Sequence, residues 1–184
     1  QLDAKQKALQ AFGMASKMSF DKDIQEDALF NFAKLTFELN YNPFNEAITA
    51  FNSYIEKYPN SPRVDDAYEY LMIAYTNTKN YKAALESLQK IKKQDVKTKS
   101  AIQRVAYYRG LEQFQNLNFK DAIASFDLSL ENSSYNHTLG ALTKYWKGES
   151  FYRLEDYDSA QRLYGEFLLA AGAFDQLEYK LAHY

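Results

Sequence analysis

Residues 64–88 read VDDAYEYLMIAYTNTKNYKAALESL, and the two halves of this stretch carry two helical patterns separated by a polar break. In the first, Tyr68, Leu71 and Tyr75 recur at spacings of three and four, the period of an amphipathic helix. In the second, Tyr81, Ala84 and Leu88 repeat that spacing around a small residue. The second pattern returns along the whole chain. Ala8, Ala47, Ala84, Ala122 and Ala160 stand 37 to 39 residues apart, and the fourth residue after each is large and apolar: Phe12, Phe51, Leu88, Phe126 and Tyr164. Three residues before four of them comes an aromatic, Phe44, Tyr81, Phe119 or Tyr157, while Lys5 breaks the series. A period in this range is the mark of a repeat array, in which each unit buries its apolar face only against its neighbours.

The other half of each unit is also helical in pattern. Residues 25–40, 64–77, 99–116 and 137–153 read as first helices, and 43–57, 80–93, 118–131 and 156–171 as the alanine-bearing second helices. Residues 4–18 read as a second helix without its first, and 174–184 as the start of a first helix without its second. The chain is thus expected to be one array over 1–184. Its parts are a truncated unit at 3–20, full units at 22–60, 61–94, 95–132 and 134–172, and a truncated unit at 173–184. Asn42-Pro43 and Ser61-Pro62 pair a capping side chain with a first-turn proline. Asn80, Asn118 and Asp156 precede later alanine helices as caps, and Asp65 and Asp66 suit the positive end of a helix dipole. A unit of about 38 residues is too short for two helices and a strand. The six glycines and three prolines are also too few for an all-β fold of tight turns.

Composition narrows the function. A net charge of −2 gives no broad electrostatic footprint for nucleic acid. The absence of cysteine removes disulfides, thiolate metal sites and thiol nucleophiles, and no apolar run is long enough to span a bilayer. Because the sequence begins at Gln1, and Leu177, Tyr179 and Leu181 make its last segment apolar, it reads as a processed protein or an internal piece of a longer array. Its exposed terminal helices would then permit self-association. His137 and His183 are the only histidines, and HExxH, P-loop, GxSxG and GxGxxG signatures are lacking. No catalytic residue, metal or cofactor is expected. The lysines of KIKKQDVKTK (90–99) read as a solvated turn, and the glycosylation patterns at Asn132 and Asn136 as chance matches in a polar turn.

The pattern resembles the tetratricopeptide repeat (TPR), W-x2-L-G-x2-Y followed by A-x3-F and then P. Tyr68-x2-Leu71-Met72-x2-Tyr75 with Ala84-x3-Leu88 matches it best. Phe30-x2-Ala33-Lys34-x2-Phe37 with Ala47-x3-Phe51 and Pro59 is next, and Gly110 and Gly148 supply the small residue of later units. Gln113 departs from the aromatic expected three residues after Gly110, whereas Phe151 keeps it after Gly148. The resemblance implies an all-α, right-handed superhelical solenoid of antiparallel helix pairs. The TPR unit has 34 residues, so these are about one helical turn longer and resemble those of bacterial envelope TPR proteins, including outer-membrane assembly lipoproteins.

It also implies a non-catalytic protein-interaction scaffold, whose first helices line a concave groove holding a peptide or a partner helix. Projected onto helix faces, the groove residues of the first two units are Asn31, Glu69 and Tyr70. Those of the next are Arg104, Tyr107, Tyr108 and Phe114, and those of the last Tyr145, Trp146, Glu149, Tyr152 and Arg153. Tyr107, Tyr108, Tyr145, Trp146 and Tyr152 are the expected anchors, with Arg104 and Arg153 giving polarity. Neighbours such as Tyr107 and Tyr108 lie about 100° apart on a helix, so at least one of each pair reaches the groove or its rim. The Lys and Asn set with which some TPR domains clamp an acidic C-terminal tail is not reproduced, since Leu35, Glu69, Tyr70 and Tyr108 occupy the corresponding surface. Two other readings stand beside this one: glycan or small-ligand binding on the aromatic-rich half by an envelope component, and a spacer within a larger protein.

Overall fold

Three left-handed residues set the architecture. Lys79, Leu117 and Glu155 have φ of 58°, 62° and 64°, at the same point of three successive units. At each, the next backbone N–H reaches back into the helix just ended: Asn80 to the Tyr75 carbonyl (2.7 Å), Asn118 to Gln113 (2.8 Å), Asp156 to Phe151 (3.0 Å). Such a bond closes the helix and turns the chain back on itself, so the next helix starts within two residues and runs antiparallel.

The structure, a computed structural model, describes residues 2–19, 21–39 and 44–183. Its elements are α1 (Leu2–Ala15), α2 (Lys22–Leu39), α3 (Asn45–Lys57), α4 (Val64–Asn77), α5 (Tyr81–Lys90), α6 (Val96–Gln115), α7 (Phe119–Leu130), α8 (His137–Arg153), α9 (Tyr157–Leu168) and α10 (Glu178–Leu181). No strand occurs among the described residues, and the fold class is all-α, a helical solenoid of paired helices. No helix is long and apolar enough to cross a membrane among the described residues. The chain divides into two compact units, Gln1–Lys93 and Gln94–Tyr184.

In the first unit, α2, α3 and α4 close around Phe30, Phe51, Tyr54 and Leu71, with Ala33, Ala50 and Ala67 where helices approach. Phe30 meets Tyr54 edge-on at 5.2 Å, and Tyr70 stacks on Phe51 at 4.9 Å with the rings 8° from parallel. The hydroxyl of the fully buried Tyr54 is satisfied: it donates to Glu26 Oε1 (2.9 Å) and shares a 2.7 Å bond with Ser61 Oγ. This changes the expected role of Ser61. Its hydroxyl donates to Glu26 (2.5 Å) and accepts from the Arg63 N–H (3.2 Å), while Arg63 takes the N-cap position of α4 and makes no side-chain cap bond.

In the second unit the small residues sit at the crossings. An added Cβ on Gly110 would fall 2.4 Å from the Phe126 ring, and one on Gly148 would fall 3.0 Å from Tyr164. Ala122 and Ala160 are buried beside them, as the alanine period requires. Asn80, Asp95, Asn136 and Asp156 accept first-turn N–H groups and cap α5, α6, α8 and α9. Asn118 makes no such bond, and Asn42-Pro43 lies outside the described residues.

Helix ends differ most from the sequence pattern. α1 stops at Ala15 and α10 has only four residues. α5 stops at Lys90 because the Asp65 carboxylate takes the N–H groups of Lys92 (3.0 Å) and Lys93 (3.1 Å), pulling the chain off the helix path. The same lysine-rich turn that reads as merely solvated is therefore tied to α4.

Two glycine substitutions test the crossing geometry. Gly110→Ala should destabilise the protein by about 1–3 kcal/mol, since the buried Phe126 ring has nowhere to retreat. Gly165→Ala meets nothing within 4 Å in α9 and should stabilise by about 0.5–1 kcal/mol. Urea denaturation of the three proteins measures both; equal losses would show that close approach at Gly110 is not what the glycine provides.

Candidate partner-binding face

The expected groove residues separate by unit. In the first, Asn31 donates its side-chain amide to the Asp27 carbonyl (2.9 Å), Glu69 is half-buried, and Tyr70 is held against Phe51 and Phe37. Tyr70 is thus a wall of the core. In the second unit Arg104, Tyr108, Tyr152 and Arg153 are exposed, while Phe114, Trp146 and Glu149 are half-buried.

The two expected anchors Tyr107 and Tyr145 are each only 6% exposed. The reason lies in the helix period. Tyr107 turns toward Phe126 on α7 (6.3 Å between centroids) and Tyr145 toward Phe167 on α9 (5.4 Å). The neighbour a hundred degrees on is then turned outward. Tyr108 is 40% exposed, and Trp146 lies between core and surface, with Phe114 edge-on to it at 5.3 Å. Tyr107 and Tyr145 therefore support the face from beneath.

Burial has a chemical consequence there. It pushes the Tyr145 hydroxyl up to about 12, helped by the Glu149 carboxylate, and raises Tyr107, with the charge of Glu178 adding to it. Tyr164, which donates to Glu149 Oε1 at 2.7 Å, moves the same way, again chiefly through burial. These phenols stay neutral across the physiological range, so the charge on this face comes from its arginines and carboxylates. Arg104 and Arg153 form no ion pair with any described residue, unlike Arg109, which is held by Glu112, and Arg162, held by Glu166.

The C-terminal ends of α6 and α8 frame a recess of about 310 Å³, with Leu111, Phe114, Leu117 and Phe119 on one side and Trp146 and Arg153 on the other. Leu117 and Phe119 were not among the expected site residues, because Phe119 reads as an ordinary core aromatic of the alanine period. The sequence did carry a signal for Leu117. It stands at the turn position filled by Lys79 and Glu155 in the adjoining units, and it alone of the three is apolar. No group of His, Asp and Glu suited to a metal ion occurs among the described residues.

Residues 27–61, most of α2 and all of α3, match the family model described as tetratricopeptide repeat. No curated protein matches the chain.

The raised tyrosines make alkaline stability a readout of this packing. An unfolded tyrosine gives up its proton near ~10, whereas Tyr54 and Tyr145 hold theirs to about 12 in the folded protein. The folded state then binds more protons than the unfolded one, so the stability linked to these groups is complete below that unfolded value. It is lost as pH climbs toward 12. The urea midpoint should fall across this window, and Tyr145→Phe should flatten part of the fall. A midpoint independent of pH there would show that these hydroxyls are not desolvated.

Proposed function

We propose that this chain, a repeat protein of the tetratricopeptide type, is a non-catalytic scaffold that holds a protein segment against the aromatic and arginine-bearing face of its second unit. TPR repeats generally mediate protein–protein interactions. The supporting observation is that Tyr108 and Tyr152 face solvent, Tyr108 one turn along α6 from Arg104 and Tyr152 next in sequence to Arg153 on α8, and that these arginines lack an ion pair among the described residues. Tyr and Arg are the residue types that dominate binding energy at protein interfaces, each worth roughly 2 kcal/mol or more once a partner covers it. Phe114, Trp146 and Glu149 belong to the same face as half-buried flanks; in the first unit Asn31 and Glu69 are half-buried and Tyr70 is held by the core rings Phe37 and Phe51.

Ring geometry favours a protein ligand over a glycan. Sugar binding would use coplanar exposed rings, but Tyr152 meets Tyr157 at 65° and Phe114 meets Trp146 at 69°. In this reading the chain is a bacterial envelope scaffold, because its units exceed the 34-residue TPR by about a helical turn.

The test is capture of partners from native lysate on the intact chain and on an Arg104→Glu/Tyr108→Ala/Tyr152→Ala variant whose helicity is checked by circular dichroism. All three side chains are exposed, so the fold should persist. A partner retained by the first should be lost by the second, with affinity reduced at least about thirtyfold. Identical sets on both would remove this face from the function and leave a spacer role.

A further inference from the structure

We infer that the recess between the ends of α6 and α8 is a socket for one phenylalanine side chain carried next to an acidic residue; the inference deepens the scaffold reading and rests on it. The walls are aromatic. Phe114 stands between Phe119 and Trp146, edge-on to both at 5.3 Å, with Leu111 and Leu117 completing the lining. At about 310 Å³ the space lies at the lower end of the range for small-ligand sites, enough for a ring and too small for a helix. Edge-to-face pairs leave ring faces and edges for a further ring to continue the pattern.

Leu117 supplies an independent observation. It holds φ of +62°, a conformation that costs an L-residue with a bulky side chain, and its side chain is 73% exposed. The same turn position is Lys79 one unit earlier and Glu155 one unit later, each with the same backbone and a side chain that water accepts. Leucine there is disfavoured twice, once by the backbone and once by exposure. Covering it with an apolar group would recover the second loss. Such departures from local preference concentrate where binding occurs.

The unit that follows shows that the apolar lining is particular to this place. Thirty-eight residues on, Leu111 becomes Glu149, Phe114 becomes Tyr152, Leu117 becomes Glu155 and Phe119 becomes Tyr157. The fold repeats the position and the sequence changes its chemistry. The charge of the ligand follows from Arg153, which borders the recess without an ion pair among the described residues. A guanidinium at the edge of an apolar recess favours a carboxylate within a few ångströms of the bound ring. A neighbouring Asp or Glu side chain meets that requirement.

Trp146 is the only tryptophan, so its emission reports on the socket wall directly. The full chain is titrated with acetyl-Gly-Asp-Phe-Asp-Gly-amide, its Asn-Phe-Asn and Asp-Ala-Asp counterparts, and acetyl-Gly-Gly-Phe with a free or amidated terminus. The acidic Phe peptide should give a saturable change in Trp146 emission. The Asn peptide should bind about tenfold more weakly, since only the charge-assisted bonds are lost, and the Ala peptide should give no change at the solubility limit. Arg153→Glu should reverse the order in favour of a Lys-Phe-Lys peptide. Leu117→Asn, which tolerates the left-handed backbone, should keep the urea midpoint while weakening the acidic Phe peptide several-fold.

Equal response to the Phe and Ala peptides, or no response to any, overturns the socket. Binding confined to the free-acid tripeptide overturns the side-chain carboxylate. A captured partner that is released by the Arg104/Tyr108/Tyr152 variant but indifferent to Arg153→Glu and Leu117→Asn would leave the scaffold standing and remove the socket alone.

Discussion

The close approach of paired helices at small residues, clearest in the second unit, is the constraint on which the rest of this protein depends. In the second unit Gly110 leaves room for the Phe126 ring and Gly148 for Tyr164, while Ala122 and Ala160 are buried from the opposite helix. With backbones this near, the large residue four positions after each alanine has only the adjoining gap to fill. That fixes the register of the pair. Register in turn decides which side of α6 and α8 is left for solvent, so the proposed binding face is a by-product of the crossing. A larger side chain at the crossing would force the pair apart and rotate the face along with it.

Much of this is legible in a linear sequence because it is local and periodic. The alanine period, the aromatic three residues before it and the large residue four after it all report one crossing repeated, and α4 and α8 follow the pattern from first residue to last. What was not legible depends on partners distant in sequence. The early end of α5 is set by Asp65, more than twenty residues away, accepting from Lys92 and Lys93. Ser61 looks like a cap until Glu26 and Tyr54 are brought to it by the packing of α2 on α3.

The site itself was half readable. Helix period alone shows that Tyr107 and Tyr108 diverge, and equally Tyr145 and Trp146, yet it does not say which of each pair faces inward. That is settled by where Phe126 and Phe167 lie on the partner helices, and they draw in Tyr107 and Tyr145. Leu117 was missed for a different reason: a turn residue in the left-handed region has no helical or strand period to betray it. Only comparison of its side chain with Lys79 and Glu155 at the same turn marks it as unusual.

A repeat fold separates two demands that most domains must reconcile. The crossing residues of the second unit tolerate little change, since a Cβ on Gly110 meets the buried Phe126 ring and one on Gly148 the half-buried Tyr164 ring. The ends of the first helices and the turns that follow bear no such load. Ile73, Thr76 and Lys79, then Leu111, Phe114 and Leu117, then Glu149, Tyr152 and Glu155 occupy equivalent positions on the same backbone. They read in turn as mixed, apolar and acidic-aromatic. In the scaffold role proposed above, differences between successive units would be what discriminates among protein segments, because specificity is a difference of affinities and needs surfaces that differ. The chemistry of the second unit then follows from the fold: aromatic rings that the core leaves half-covered, and Arg104 and Arg153, which form no ion pair with any described residue.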